Sequence, residues 1–328
     1  LLISAADGAT LKGIKIGGDL ILAPGVTKDV TLVDCVIQGN IRNYGTGEVR
    51  FEAPQITPES TATKPSEVYK PGATLDRTLE YGGKTVPIYR DRSLNVFSDV
   101  DFIWTDEENE NRRRLEYLGG QFRTRYGIDV SSFQGEIDWD AVADDNIDFA
   151  MVRVGFRGTG TGSLNTDKYY EQNIRGAMRA GLETGVYFFA QAVTVEEAIE
   201  EADYVISLLD GLDINGPVAY DWEMHDSTYR VYGTTPEMAT ACAVAFCERI
   251  EEAGYDAMVY AGQYVSYIKY DQGALEPYLS WYPEYKSESS ELLYPTLYYH
   301  MDYWQFSSTR AVAVINGRGD MNIQFIRR

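Results

Sequence analysis

The stretch "GPVAYDWEMHD" (residues 216–226) combines the pattern of a buried strand with two carboxylates. A Gly-Pro turn leads into the apolar run 218–220, which is typical of a strand buried on both faces. Asp221 and Glu223 follow directly, although buried strands rarely end in two acidic residues. Residues two apart in a strand point to the same side, so we expect both carboxylates to project into one pocket.

The segments on either side of this strand alternate between strand and helix patterns. Strands are predicted at 127–133, 148–156, 184–192, 217–221 and 256–262, with helices between them at 138–146, 167–181, 195–209 and 236–254. Three further strands, predicted at 278–283, 299–308 and 311–317, follow without clear helices. Alternating strands and helices indicate a parallel sheet, and eight strands are the number that closes a barrel. The sequence therefore predicts an α/β fold, an irregular β/α barrel of five β/α units plus three β-strands.

The first part of the chain contains an internal repeat. "LKGIKIGGDLIL" (11–22) aligns with "LVDCVIQGNIRN" (32–43) at an offset of 21 residues. Short alternating strands that recur at this spacing are typical of the rungs of a parallel β-solenoid, although a plain β-meander would also fit. We expect a small β-rich, solenoid-like region at the N-terminus.

A change of composition separates this repeat from the barrel. Residues 53–76 are rich in Pro, Thr and Ser, which is typical of a linker or an extended strap, and mixed patterns follow up to residue 122. We therefore predict three parts, namely the solenoid-like region at 1–52, a linker or strap of mixed structure at 53–122, and the barrel at 123–328.

The composition argues against several classes of function. With 29 basic and 50 acidic residues the net charge is −21, so we expect neither a nucleic-acid partner nor a membrane partner. No apolar run reaches the ~18 residues that a membrane-spanning helix needs. The two histidines lack ligand spacing, so no zinc site is expected. We expect Cys35, Cys242 and Cys247 to be small buried hydrophobic residues without a disulfide, and Cys35 to lie near Ile14.

Four carboxylates fall where a barrel of this type places its functional residues, at the carboxyl ends of the strands. Asp129 lies in the first strand region, Asp221 and Glu223 end the fourth strand, and Asp320 follows the last predicted strand. Paired carboxylates are what glycoside hydrolysis requires, one as the acid and the other as nucleophile, base or charge stabiliser. Crowding of like charges should raise one pKa and keep a proton on the acid. The same residues could instead cap a loop or bind Ca²⁺ or Mg²⁺ through their oxygens.

Polar and aromatic side chains accompany these acids. Amphipathic aromatic side chains stack on sugar rings, although for any one of the 25 tyrosines a structural role is expected. The candidates for substrate binding are Tyr187, Trp222, Trp281, Tyr282, Trp304 and Gln305.

An ordered set of motifs resembles glycoside hydrolase family 25, the lysozyme-type muramidases. The motifs are "YGIDVSSFQGEIDWDAV", "FAMVRVGFR", "AGLETGVYFFAQA", "PVAYDWE", "WYPEY" and "YWQFSS…GRGDMNIQF", and they cover about residues 124–328. The resemblance implies an irregular β/α barrel that cleaves the β-1,4 bond between N-acetylmuramic acid and N-acetylglucosamine in bacterial cell walls. The N-terminal region lies outside the resemblance, where we expect a stalk or a wall-targeting module.

The resemblance also assigns roles to the acids. Glu223 matches the family's proton donor, and Asp221 matches the carboxylate that stabilises or attacks the anomeric centre or orients the acetamido group. Asp129 and Asp320 match supporting acids, and Tyr187 and Trp304 would line sugar subsites. Two departures bear on subsite preference: Phe188 stands where many members carry histidine, and 308–320 lacks glycines usual before the last aspartate.

We therefore expect a muramidase that acts on bacterial peptidoglycan glycan strands, without a cofactor or a catalytic metal, as a monomer in an extracellular or cell-wall-associated location. Two alternatives remain open. One is a hydrolase of another acetamido-sugar polymer such as chitin, and the other is a non-catalytic cell-wall-binding module.

Overall fold

The computed structural model describes residues 2–3, 8–12, 14–16, 20–33, 36–37, 41–52, 75–105, 113–310 and 319–328. The N-terminal strands are β1 (Leu2–Ile3), β2 (Thr10–Lys12), β3 (Lys15–Ile16), β4 (Leu20–Leu22), β5 (Val30–Val33), β6 (Val36–Ile37), β7 (Ile41–Asn43) and β8 (Val49–Glu52). They pair in the orders β1-β4-β7, β2-β5-β8 and β3-β6.

All of these N-terminal pairings are parallel, whereas a β-meander would give antiparallel neighbours. Leu11 pairs with Leu32, and Leu20 pairs with Ile41, which is the 21-residue offset of the sequence repeat. Leu20, Val30 and other apolar side chains of this region form a small buried cluster of their own. The predicted environment of Cys35 lies outside the described residues.

The segment before the barrel packs its aromatic side chains onto it. This segment contains the hairpin β9 (Leu75–Tyr81) and β10 (Lys84–Tyr89), and the strand pair β11 (Phe102–Trp104) and β12 (Leu115–Tyr117). The ring of Phe97 lies 4.5 Å from that of Phe325 and 5.4 Å from that of Phe102. The ring of Phe102 in turn lies 5.3 Å from the ring of Trp304. Residues 75–105 and 113–122 thus contribute to the same hydrophobic core as the barrel.

The barrel strands are β13 (Phe122–Val130), β14 (Phe149–Arg157), β16 (Glu183–Ala190), β17 (Val218–Trp222), β18 (Ala257–Tyr260), β19 (Leu279–Pro283), β20 (Tyr303–Arg310) and β21 (Gly319–Arg327), and β15 (Leu164–Thr166) pairs outside the ring with β14. Neighbouring strands from β13 through β14, β16, β17, β18 and β19 to β20 are parallel. The last strand, β21, runs antiparallel to both β20 and β13 and closes the ring. A mixed α/β fold with a closed eight-stranded barrel is confirmed.

The described residues contain four α-helices, α1 (Trp139–Asp144), α2 (Tyr170–Arg179), α3 (Val195–Leu208) and α4 (Pro236–Glu252). Thr194 and Thr235 cap α3 and α4 by accepting hydrogen bonds from the N–H groups of Glu197 and Met238. After β18 only a π-helical turn, Val265–Lys269, occupies the place of the fifth helix. Within the described chain no helix is long and apolar enough to cross a membrane. Cys242 and Cys247 are buried in α4 and unpaired, as predicted.

The end of the barrel differs from the sequence prediction. The strand predicted at 311–317 lies outside the described residues, and the closing strand is β21. Asp320 is therefore at the start of the last strand and does not follow it. Because β21 is antiparallel, its start lies at the face where the parallel strands end, and Asp320 pairs directly with Asp129 of β13.

Side chains alternate across the barrel wall with a period of two. Alternate residues such as Met151, Ala219, Met258 and Trp281 form a compact cluster inside the ring. Their neighbours in sequence face the helices, as Tyr220 does by packing its ring 4.7 Å from Phe246 of α4. This alternation decides which of the predicted site residues can reach the mouth of the barrel.

Candidate active site

The structure brings the four predicted carboxylates into one cluster at the mouth of the barrel. Asp129 and Asp320 are paired across β13 and β21, and each carboxyl alters the pKa of the other. Asp221 is the next-to-last residue of β17, and the charge of Glu223 adds to the effect of burial in raising its pKa. The charge of Glu223 also acts on both Asp129 and Asp320. The two carboxyl pairs therefore form one electrostatic unit.

Two amide side chains hold Asp129 in place. The Nε2 atom of Gln305 and the Nδ2 atom of Asn322 each donate a 2.8 Å hydrogen bond to Asp129 Oδ2. Trp281 Nε1 donates to Asn322 Oδ1 at 2.8 Å, and Tyr260 Oη donates to Gln305 Oε1 at 3.1 Å. Each amide oxygen thus accepts from an aromatic side chain, which directs the amide nitrogen towards the Asp129 carboxylate.

Burial and mutual repulsion make the three aspartates reluctant to ionise. Burial raises the pKa of Asp129, against the opposing effect of the hydrogen bonds from Asn322 and Gln305. Burial and the neighbouring charge of Asp129 raise the pKa of Asp320 to about 8. Burial, followed by the charge of Glu223, raises the pKa of Asp221 far above its ordinary value. The cluster therefore retains protons at neutral pH, as expected for crowded like charges.

Asp221 is 5% exposed, and its Oδ1 atom finds no hydrogen-bond partner among the described residues. A positive charge, that of Arg153, partly offsets the raised pKa of Asp221. Arg153 lies in β14 and is held by Asp167, with 2.8 Å between Nη2 and Oδ2. Arg153 was not among the predicted site residues, although a lone charged residue inside the apolar strand predicted at 148–156 was a usable signal.

Glu223 lies one residue beyond β17, and its side chain is 26% exposed. Its backbone carbonyl accepts a 2.8 Å hydrogen bond from Gln191 Nε2. Its Oε2 atom lies 2.9 Å from Nε2 of His225, and this hydrogen bond raises the pKa of the imidazole. The histidine was missed, although its position two residues after Glu223 could have pointed to it.

Three of the predicted substrate-binding residues face the interior of the barrel beneath the acids. Trp281 and Gln305 are buried there and position Asn322 and Asp129, as described above. Tyr187 is half-buried, and its ring lies 5.9 Å from that of Trp281. Burial, followed by the charge of Asp129, raises the pKa of its hydroxyl. Tyr187 is thus adjacent to the acid cluster, whereas Trp281 and Gln305 support it from below.

The other three, Trp222, Tyr282 and Trp304, require correction because they face the outer core. All three are 0–1% exposed. Trp222 Nε1 donates to the carbonyl of Ala192, whereas Tyr282 and Trp304 both donate to Glu284. Each is the sequence neighbour of an inward-facing residue, so the period-two alternation of a strand points it away from the mouth. They cannot stack on a bound sugar in this structure.

Two exposed aromatic residues next to the cluster were not predicted. Phe133 is 83% exposed, and its ring lies 5.2 Å from the guanidinium of Arg153. A capping box in which the side chains of Ser131 and Gln134 bond each other's backbone N–H groups holds the short turn that carries Phe133. Tyr285 is 54% exposed, and its hydroxyl donates to Gln305 Oε1 at 3.0 Å.

A cation site is the other role that a cluster of carboxylates could have. In the part of the chain that the structure describes, no group of three or more His, Cys, Asp or Glu residues is arranged to hold a metal ion. The raised pKa values of three of the carboxyls reflect their proximity and burial.

Sequence comparison matches this chain to one protein family and to two related proteins. The family model for glycosyl hydrolases family 25 matches residues 128–315. The autolytic lysozyme of Clostridium acetobutylicum is 24% identical over 197 residues, which cover 60% of this chain and 54% of that protein. Lysozyme M1 of Streptomyces globisporus is 30% identical over 118 residues, which cover 35% of this chain and 38% of that protein. The chain spans about half or less of the length of these curated relatives.

The solved structures show the same fold. The modular autolysin LytC from Streptococcus pneumoniae, in complex with a synthetic peptidoglycan ligand, matches with a TM-score of 0.52 at 20% identity. The match covers 75% of this chain and 66% of that one. At this level of identity the likeness bears on the fold alone.

Proposed function

Since the chain belongs to glycosyl hydrolase family 25, we propose that it is a muramidase that cleaves the β-1,4 bond between N-acetylmuramic acid and N-acetylglucosamine in bacterial peptidoglycan. The observation that carries the proposal is the cluster of Asp129, Asp221, Glu223 and Asp320 at the open end of the barrel. The names of the two curated relatives, both lysozymes, and the peptidoglycan ligand of LytC support the substrate.

Glu223 is the proton donor in this proposal. It lies beyond the end of its strand with part of its side chain exposed, where a glycosidic oxygen can approach it. General acid catalysis needs a carboxyl within hydrogen-bond reach of the leaving oxygen. The other acids lie deeper or face each other, which leaves Glu223 as the best-placed donor.

Asp221 acts by orienting the substrate's acetamido group. It lies two residues before Glu223, and its buried Oδ1 atom has no hydrogen-bond partner among the described residues, so this oxygen is available to the substrate. The raised pKa of Asp221 makes it a poor nucleophile, whereas its Oδ1 atom can accept the acetamido N–H and leave the acetamido oxygen free to attack. The acetamido oxygen then bonds to the anomeric carbon as the glycosidic bond breaks, and Glu223 gives its proton to the leaving oxygen. Water subsequently opens the cyclic intermediate and returns a proton to Glu223.

Asp129 and Asp320 support this pair, and aromatic side chains around the cluster contact the sugar. Of the two, Asp129 accepts the amide hydrogen bonds that favour its charged form, so it places negative potential beneath the anomeric carbon, where positive charge develops, while Asp320 holds the proton. Tyr187, Phe133 and Tyr285 are the aromatic residues whose position suits stacking on sugar rings. Trp281 and Gln305 act on the substrate indirectly, through the orientation of Asp129.

The N-terminal region is a β-solenoid-like module that targets or anchors the barrel at a cell wall. Parallel pairing at the 21-residue offset supports this assignment. The aromatic packing of Phe97 and Phe102 supports a catalytic unit that includes residues 75–122 in addition to 123–328. In this proposal the protein acts as a monomer, outside the cell or at the cell wall.

Mass spectrometry of muropeptides released from purified peptidoglycan tests the activity. We expect fragments with N-acetylmuramic acid at the new reducing end, and no release of reducing ends from chitin oligomers. Cleavage of chitin but not of peptidoglycan would favour a different acetamido-sugar polymer. Binding to wall sacculi without any cleavage would favour a wall-binding module and refute the enzyme.

A further inference from the structure

The backbone of Glu223 is held from outside its own strand. Pairing between β16 and β17 ends with Ala190 opposite Trp222, and pairing between β17 and β18 ends at Asp221. Glu223 therefore lies one residue beyond the ladder, where the neighbouring strands no longer fix its position. The side chain of Gln191, the first residue after β16, fills this place by donating a 2.8 Å hydrogen bond from Nε2 to the Glu223 carbonyl.

Gln191 is itself fixed by bonds to two further elements. It is fully buried, and its backbone N–H donates to Glu201 Oε1 in α3 at 3.0 Å. Arg157 holds that same oxygen with a 2.7 Å bond from Nε. The backbone carbonyl of Gln191 accepts a 2.8 Å bond from Arg230 Nη1.

The anchoring continues beyond Gln191. Arg230 is clamped by two bonds to the carboxylate of Glu197, at 2.8 and 2.7 Å. On the other side, the next residue, Ala192, accepts the indole N–H of Trp222 at 3.1 Å. Residues 191–192 thus connect helix α3 and Arg230 to Trp222 and Glu223, the two residues that follow Asp221.

We propose that Gln191 is a positioning residue that sets where the Glu223 carboxyl meets the leaving oxygen. The inference rests on the proposed function, in which Glu223 donates a proton. A catalytic group displaced by about 1 Å can lose about 10²-fold in rate. Among the described contacts, the hydrogen bond to the Glu223 carbonyl is the one that links Gln191 to the acid cluster. Loss of this bond should therefore impair acid catalysis and leave the acetamido-directed steps nearly intact.

The test is Gln191→Met, which keeps the length of the side chain and removes the N–H donor. Its control is Gln272→Met, because Gln272 Nε2 donates an equivalent 2.9 Å bond to the carbonyl of Ser266 outside the acid cluster. Rates are measured on soluble peptidoglycan fragments and on a fragment with an activated aryl leaving group, which needs no protonation. We expect Gln191→Met to lower kcat about 10–100-fold on the native fragment with little change in KM. On the activated fragment it should retain nearly normal kcat, and the control should retain both activities.

Equal losses on the two substrates would overturn the inference, since they would indicate general disruption of the site. A further drop when Gln191→Met is added to Glu223→Gln would also overturn it, because a residue acting through Glu223 has nothing left to position. If Gln191→Met fails to fold, Gln191→Asn keeps a polar amide but is too short to reach the carbonyl, and it is held to the same outcomes. Full activity of Glu223→Gln on native fragments would instead refute the proposed function itself.

Discussion

Removal of the Asp320 charge should stabilise the protein and do so more strongly at high pH. The pKa of Asp320 is raised from its ordinary 3.8 to about 8 by burial and by Asp129. The folded state therefore binds a proton that the unfolded state has released, so stability is highest below the unfolded pKa and is lost as pH rises through about 8. Asp320→Asn keeps the shape of the neutral carboxyl and has no proton to lose.

The size of the effect follows from the pKa. Between pH 5.5 and about 8, folded wild-type protein holds a proton on Asp320 that the unfolded chain does not. Over these about 2.5 pH units the free energy of unfolding falls by about 1.4 kcal/mol per unit. The limit is therefore about 3.5 kcal/mol, and because Asp129 and Asp320 titrate as a pair we expect about 2 kcal/mol. The free energy of unfolding of Asp320→Asn should thus exceed that of the wild type by about 2 kcal/mol more at pH 8.5 than at pH 5.5.

Urea unfolding of both proteins at the two pH values measures this difference directly. Asp99→Asn, which removes an exposed carboxyl outside the cluster, controls for the loss of one charge from a chain with a net charge of −21. We also expect Asp320→Asn to be less active than the wild type, so that stability and activity change in opposite directions. A stability difference of the same size at both pH values would refute the argument that Asp320 is protonated in the folded protein.

Four further predictions concern other parts of the structure. Glu223→Gln should lower the rate on native peptidoglycan about 10²–10⁴-fold and recover on substrates with an activated leaving group; full activity on the native wall would end the assignment. The pKa of His225, measured by NMR titration, should lie above its ordinary 6.5 and fall in Glu223→Gln, since the bond to Glu223 raises it; an unchanged pKa would contradict that contact. Phe133→Ala should raise KM about 2–10-fold with a smaller change in kcat, because a stacked ring contributes about 0.5–1.5 kcal/mol; an unchanged KM would remove Phe133 from the sugar site. Phe102→Ala should destabilise the whole barrel unit by about 3–5 kcal/mol in urea unfolding, whereas exposed Val100→Ala should cost little; equal small effects would mean that residues 75–122 are a free strap.

The errors in the sequence analysis have particular physical causes. Trp222, Tyr282 and Trp304 were chosen for their chemistry and their closeness in sequence to the acids, but a strand sends sequence neighbours to opposite faces. Applying the period-two rule to "YDWE" would have separated Trp222 from Asp221 and Glu223. Asp320 was placed after a strand because an apolar run at 311–317 resembled one, whereas the closing strand begins next to Asp320 itself.

Local patterns in the sequence were sufficient to predict the barrel and the acids. Alternating periods of strand and helix depend on residues close together in the chain, and so does the i, i+2 placement of Asp221 and Glu223. The 21-residue repeat likewise predicted which N-terminal residues pair. These features follow from the side-chain pattern of one segment at a time.

Only the tertiary structure decided how the acids are paired and what holds them. Asp129 meets Asp320 because the last strand runs antiparallel and closes the ring, and no local pattern determines that direction. Gln191 reaches the Glu223 carbonyl across 32 residues of chain because two strands end at the same level of the barrel. The raised pKa values arise from burial and from charges brought together at this face. They depend on distances across the barrel, which the linear order of residues does not specify.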